Sequence, residues 1–200
     1  MNKKKFIKFI NIDKKLYTTL ISLKTKDLNQ KDLYIGRLDK FVKKCRKILD
    51  DNNDIKAIII SLYPKNIKLT KLSALTIKRL TEIMSRYAGD ILSQNSSKDK
   101  LIEVFDRNRN LSINRGSRYH QTREGGSIHT DNVNIPSYWD YLMFSCLSSA
   151  KAGGETILVD SKEIHNELSK KFKLAKKILE KNFYWEKRGL TDELYKAPII

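Results

Sequence analysis

Two side chains with metal-binding chemistry stand two apart in the segment GGSIHTDN: His129 and Asp131, with Thr130 between them. Strand side chains alternate faces with a period of two. If SIHTD is a strand, an imidazole and a carboxylate share one face and can hold one cation together, while Thr130 points away. Such a pair is two-thirds of the 2-His-1-carboxylate arrangement, which binds Fe(II) on one side and leaves positions open for other ligands. The spacing alone carries little weight. With 3 His and 23 acidic residues in 200, chance supplies a His-x-acid triplet about 0.35 times per chain. A capping or salt-bridged His-Asp pair is the plain alternative.

The surroundings add to the pair. Asn132 follows the aspartate, where contact with a ligand and the capping of a turn are equally good readings. Pro136 and the apolar run DYLMFSCLS come next. Gly153-Gly154 then returns the chain, a place where positive φ favours glycine, and Glu155-Thr156-Ile157-Leu158-Val159-Asp160 leads into IHNEL. Ahead of the pair lies a polar stretch with Arg118, His120 and Arg123. An arginine there, Arg123 in particular, could meet an anionic substrate through a bidentate contact. The alternative is a solvated loop charge in a very basic chain.

The elements that must position these residues are legible in the hydrophobic spacing. Leu38, Phe41, Val42, Cys45, Ile48 and Leu49 predict an amphipathic helix over 37–50. IKAIIISLY reads as a short buried strand. Ile77, Leu80, Ile83, Met84 and Tyr87 line one face of a second helix, with Gly89 as its C-cap. Residues 93–126 are polar and turn-rich, a long loop with strands near LIEVF and SRYHQ. Three strands are expected at SIHTD, DYLMFSCLS and ETILVD. Asp160 with Glu163 predicts a capping box, opening a helix that KKFK breaks before a second begins near Lys173. The tail NFYWEKRGLTDELYKAPII has the aromatic and β-branched content of a structured segment.

The composition bounds the rest. Two hundred residues with 40% hydrophobic content suit one domain with a packed core. The net charge is +17, but 30 of the 40 basic residues are Lys and 10 Arg, spread along the chain and accompanied by abundant Asn and Ile. That joint excess fits an AT-rich coding bias, and the reading does not favour a nucleic-acid surface. Cys45 and Cys146 both sit in apolar patterns and are expected as buried thiols. The N-terminus begins like a signal peptide, yet Lys8, Asn11 and Asp13 interrupt its apolar run. No run approaches the roughly 20 apolar residues of a membrane span. A cytoplasmic protein without a membrane partner is expected, and a homo-oligomer stays open.

Taken in order, HTDN…P…YL…CL…A…GGET…VD…HNEL resembles the Fe(II)/2-oxoglutarate-dependent dioxygenases of the taurine-dioxygenase-like branch. The likeness is close over about residues 118–190 and looser upstream. It implies an α+β fold: a double-stranded β-helix, or jelly roll of the clavaminate-synthase-like kind, with N-terminal and flanking helices. It implies Fe(II), 2-oxoglutarate and O2 as cofactors and cosubstrates, and a small-molecule substrate to be hydroxylated. It places His129 and Asp131 as iron ligands and Thr156 as the hydroxyl that meets a 2-oxoglutarate carboxylate. Asn132 and Arg123 become candidate substrate contacts. A carboxylate at 131 favours hydroxylation over halogenation, since a halide would need that position open.

One departure accompanies the match. The family's second histidine ligand and its arginine for the far carboxylate of 2-oxoglutarate come from strands well downstream. Here the one histidine after Asp131 is His165, inside a predicted helix, and Arg188 belongs to the segment after that helix. The expectation is therefore one domain over 1–200, with a helix-and-strand part at 1–92 and the first part of the jelly roll at 93–200, C-terminally incomplete. The 200 residues taken alone are expected to lack turnover. The alternatives are a non-catalytic remnant of such an enzyme and a basic nucleic-acid-binding module.

Overall fold

A computed structural model describes residues 6–23, 25–28, 30, 33–64, 72–94, 97–107, 112, 119–131, 139–187 and 191–200. Two compact units are present. One comprises Met1–Ile91 with Met143–Ser149, the other Leu92–Leu142 with Ala150–Ile200.

The first unit is built on helices laid against a short parallel ladder. Strand β1 (Ile7–Asn11) pairs in parallel with β2 (Ala57–Ser61), with Phe9 opposite Ile59. Between them run α1 (Lys14–Ile21), α2 (Thr25–Leu28) and α3 (Gly36–Asp51), which give the crossover that parallel strands require. After β2 comes α4 (Ala74–Ala88). Asp13 caps α1 by accepting the Leu16 N–H at 2.6 Å, and Ser73 caps α4 by accepting the Thr76 N–H at 3.1 Å. The expected helices are thus formed, and Gly89 is the C-cap of α4 as read, its N–H donating to the Ser85 carbonyl from an extended backbone.

Helical periodicity places the core. Leu16, Tyr17 and Leu20 on α1, Leu38, Val42 and Cys45 on α3, and Leu80, Ile83 and Met84 on α4 are buried together with Ile12 and Ile35. Asp39, also buried, is satisfied by the Tyr34 hydroxyl at 3.0 Å and the Lys43 ammonium at 3.1 Å. The bond to Asp39, and that carboxylate's charge, push the Tyr34 phenol above its ordinary pKa. Segment Met143–Ser149 joins this unit through α4. Thr81 donates to the Ile77 carbonyl, so its oxygen takes the Ser145 hydroxyl at 2.6 Å, and Met143 packs against the core.

The second unit carries α5 (Ser161–Lys171) and α6 (Lys173–Leu179), separated at Phe172 as the sequence predicts. The Asp160 half of the expected capping box is made, its carboxylate accepting the Lys162 N–H at 2.9 Å. The tail forms an antiparallel pair, β3 (Phe183–Glu186) with β4 (Leu194–Ala197), and the Trp185 indole donates to the Ala197 carbonyl at 3.0 Å.

Three expectations are corrected here. Among the described residues, SIHTD, DYLMFSCLS and ETILVD form no strands. The architecture of the described residues is α+β with two two-stranded sheets. A strand persists only where a neighbour takes up its backbone N–H and C=O groups, and propensity does not supply that neighbour. LIEVF is not a strand either, and the described part of SRYHQ, Tyr119–Gln121, is a 3-10 turn, although the Phe105 and Arg107 N–H groups donate to the His120 and Gln121 carbonyls, at 3.1 and 3.2 Å. Cys146 is exposed rather than buried, because its segment is irregular; Cys45 is buried as expected. Conversely, β1 lies in the stretch that reads only as an interrupted apolar run.

All buried apolar side chains among the described residues lie between Ile12 and Met84. In the second unit Ile128, Leu142, Ile157, Leu158, Val159, Phe172 and Leu174 are exposed.

Candidate metal centre

The chain reaches the His-Asp pair through a sequence of turns. Tyr119–Gln121 is a single 3-10 turn, held by the two backbone bonds to Phe105 and Arg107. Thr122 is buried, and its hydroxyl oxygen accepts the Glu124 N–H at 3.2 Å, closing the next turn. Gly125, Gly126 and Ser127 then deliver the chain to His129.

His129 and Asp131 converge. Nε2 of His129 lies 3.4 Å from Oδ1 of Asp131, with both side chains about half exposed. The sequence predicts this approach from strand alternation, but the structure reaches it another way. Nδ1 of His129 lies 2.6 Å from the backbone carbonyl of Ser127, two residues back. A carbonyl only accepts, so Nδ1 carries the hydrogen there, and in the neutral ring Nε2 presents a lone pair. That lone pair and a carboxylate oxygen face each other at 3.4 Å. Two acceptors at that separation repel unless a proton or a cation stands between them. The Ser127 carbonyl has no signature in a sequence, since every residue carries one.

The other predicted residues are placed as follows. Thr156 is exposed in the irregular stretch 155–160. Gly153 and Gly154 have φ of +74° and +81°, the left-handed backbone anticipated for the turn before it. Arg123 pairs with Asp106, Nε to Oδ2 at 3.4 Å, so the candidate substrate contact is engaged within the molecule. Asp106 had not been singled out; it lies in a polar stretch where no periodicity links it to Arg123. His165 is exposed on α5, in the helix expected for it, and its carbonyl accepts the Ser169 hydroxyl at 2.8 Å. Asn132, Arg118 and Arg188 lie outside the described residues. Among the described residues no group of three or more His, Cys, Asp or Glu stands together to hold a metal.

No curated protein and no solved structure matches the chain. A family model does: that of the taurine catabolism dioxygenase TauD, TfdA family matches residues 65–197. The matched span starts well upstream of the segment where the motif likeness is close, and it takes in α4, the His129–Asp131 pair, the Gly-Gly turn, α5, α6 and both strands of the terminal hairpin. Covering about two-thirds of the sequence, the match establishes that the chain belongs to the taurine catabolism dioxygenase TauD, TfdA family.

Proposed function

We propose that His129 and Asp131 are two ligands of an Fe(II) centre and that Thr156 binds 2-oxoglutarate, in an oxygenase site of the family's kind acting on a small molecule. The observation that carries this reading is the facing of His129 Nε2 and Asp131 Oδ1 at 3.4 Å, with Nδ1 held by the Ser127 carbonyl. An imidazole whose far nitrogen is bonded to a carbonyl is oriented and made more basic, which is how protein ligands to metals are commonly supported. Nitrogen and carboxylate donors suit Fe(II). An imidazole nitrogen and a carboxylate oxygen 3.4 Å apart are close enough that both could hold one cation.

When bound, iron with 2-oxoglutarate and O2 supplies oxidative decarboxylation to succinate and CO2, coupled to hydroxylation of the substrate. The chain's own residues hold and orient. His129 offers a fixed lone pair and Asp131 a charge. The Thr156 hydroxyl donates to a cosubstrate carboxylate, and the left-handed Gly153-Gly154 turn sets the entry of its segment. A full set needs one more nitrogen donor and a basic anchor, and among the described residues no third His, Cys, Asp or Glu stands with the pair. We therefore propose that these 200 residues bind the metal weakly and do not turn over alone, and that the segments around 127–159 become jelly-roll strands only where partners pair with them.

The test combines titration of a divalent metal with an assay for succinate under Fe(II), 2-oxoglutarate, O2 and ascorbate. Weak binding that either His129→Ala or Asp131→Ala abolishes, with no succinate formed, is expected. Binding untouched by both substitutions would remove the pair from the site. Succinate formation lost in His165→Ala would make His165 the missing ligand.

A further inference from the structure

Helix α6 presents a face on which lysines and uncovered apolar side chains alternate. Lys176 and Leu179 are half-buried and mark its inward side. Residues three and four apart share a helix face. The outward side therefore carries Lys173 and Lys177 beside Leu174 and Ile178, and Leu174 is 74% exposed and Ile178 47%. Phe172, at the junction of α5 and α6, is exposed next to them. Lys170 at the end of α5 and Lys181 just past α6 flank this face in the sequence.

The acids nearby are already engaged. Glu167 pairs with Lys171 at 2.6 Å, and Glu180 pairs with Lys176. Lys170, Lys173, Lys177 and Lys181 make no ion pair among the described residues. Coding bias accounts for many lysines, but it does not account for their meeting Leu174, Ile178 and Phe172 on one exposed face. Charge and apolar area together select the partner. A nucleic acid offers phosphates to the lysines but nothing to Leu174 and Ile178, and this face has no arginine to stack on bases. An anionic lipid surface offers both, headgroups for ammonium groups and the acyl boundary for short apolar side chains.

We propose that the α6 face, with Phe172 and the flanking lysines, is a docking surface for anionic lipid headgroups. The association is peripheral, since among the described residues no helix is long and apolar enough to cross a membrane. The basic residues supply attraction that salt screens, and Leu174 and Ile178 supply a shallow anchor.

The experiment is co-sedimentation of the full chain with phosphatidylcholine vesicles, with and without about a third phosphatidylserine. Binding confined to the anionic vesicles and weakened by salt is expected. Each lysine near such a surface contributes about a fivefold gain in partitioning, so Lys173→Glu with Lys177→Glu should lower it at least about tenfold. Leu174→Gln with Ile178→Gln should also lower it, while Lys44→Glu with Lys47→Glu on α3 should leave it within about twofold. The substituted side chains on α6 are exposed, and Lys181→Glu, outside both helices, tests the same face should the α6 variants lose helical signal. Equal loss in the α3 control, equal binding to neutral vesicles, or displacement from vesicles by duplex DNA would each overturn the proposal, the last in favour of nucleic acid.

Discussion

Truncating side chains one at a time separates two descriptions of residues 155–159. As they stand, Ile157 is 73% and Leu158 46% exposed, and neither belongs to a strand. In a jelly-roll strand, successive side chains would point to opposite faces, so one of the two would enter a core and its neighbour would not. Leu80 is the calibrator, fully buried on α4 and packed among Leu38, Ile83 and Met84. Leu80→Ala should cost about 3–5 kcal/mol, the sum of lost transfer energy and the cavity left behind. Ile157→Ala removes carbons that are already mostly in water, and Leu158→Ala removes carbons about half so. Both should stay within about 0.5–1 kcal/mol of the parent. The measurement is urea unfolding followed by circular dichroism, with the slope checked in each variant so that a change in midpoint reads as a change in stability. A cost of about 2 kcal/mol or more at one of Ile157 and Leu158, with little at the other, would be the period-two signature of a buried strand. It would refute the uncovered description of this segment. A small effect of Leu80→Ala would refute the assignment of the core itself.

Three further outcomes are expected. Where cosubstrate binding can be measured, Thr156→Ala should raise the 2-oxoglutarate requirement and leave metal affinity unchanged, because one hydrogen bond to a charged group contributes about 1.5–3 kcal/mol; an unchanged requirement would take Thr156 out of the site. Gly154→Ala should destabilise the turn by about 1–2 kcal/mol, since its φ of +81° strains any residue with a Cβ even though the added carbon would meet only Ala150 at 3.5 Å, and a variant as stable as the parent in urea would contradict that backbone. A thiol reagent at neutral pH should modify exposed Cys146 fast and Cys45 only on unfolding, because burial pushes the Cys45 thiol up and keeps it protonated; with the unfolded chain losing that proton first, stability should fall as pH rises past the ordinary thiol range. Equal rates at the two thiols would place Cys45 at the surface.

What was legible in the sequence is what local interactions decide. The helix spacing of Leu38, Val42 and Cys45, the Gly89 and Asp160 caps, the break at Phe172 and the left-handed glycines each depend on residues within a turn or two, and each is found. The pairing of β1 with β2 depends on residues 50 positions apart in register, Ile7 with Ala57, and only β2 was foreseen, from its β-branched run. The strands expected at SIHTD and ETILVD failed for the same reason in reverse: their composition was right, but composition does not create a neighbour.

The His129–Asp131 convergence falls between these cases. Period two predicts both side chains on one side, but the segment is no strand, and it is the Ser127 carbonyl, a group common to every residue, that turns the ring so that Nε2 meets the carboxylate. Arg123 is a different case. Its charge suggests a substrate contact, and the structure adds an exposed ion pair with Asp106, supplied by a stretch with no periodicity to announce it. Family membership over residues 65–197 is independent of these local outcomes, because a sequence match rests on residue type and order. Neither depends on whether the strands that would carry them have found their partners, so the chemistry the family implies is readable where the architecture that would complete it is not.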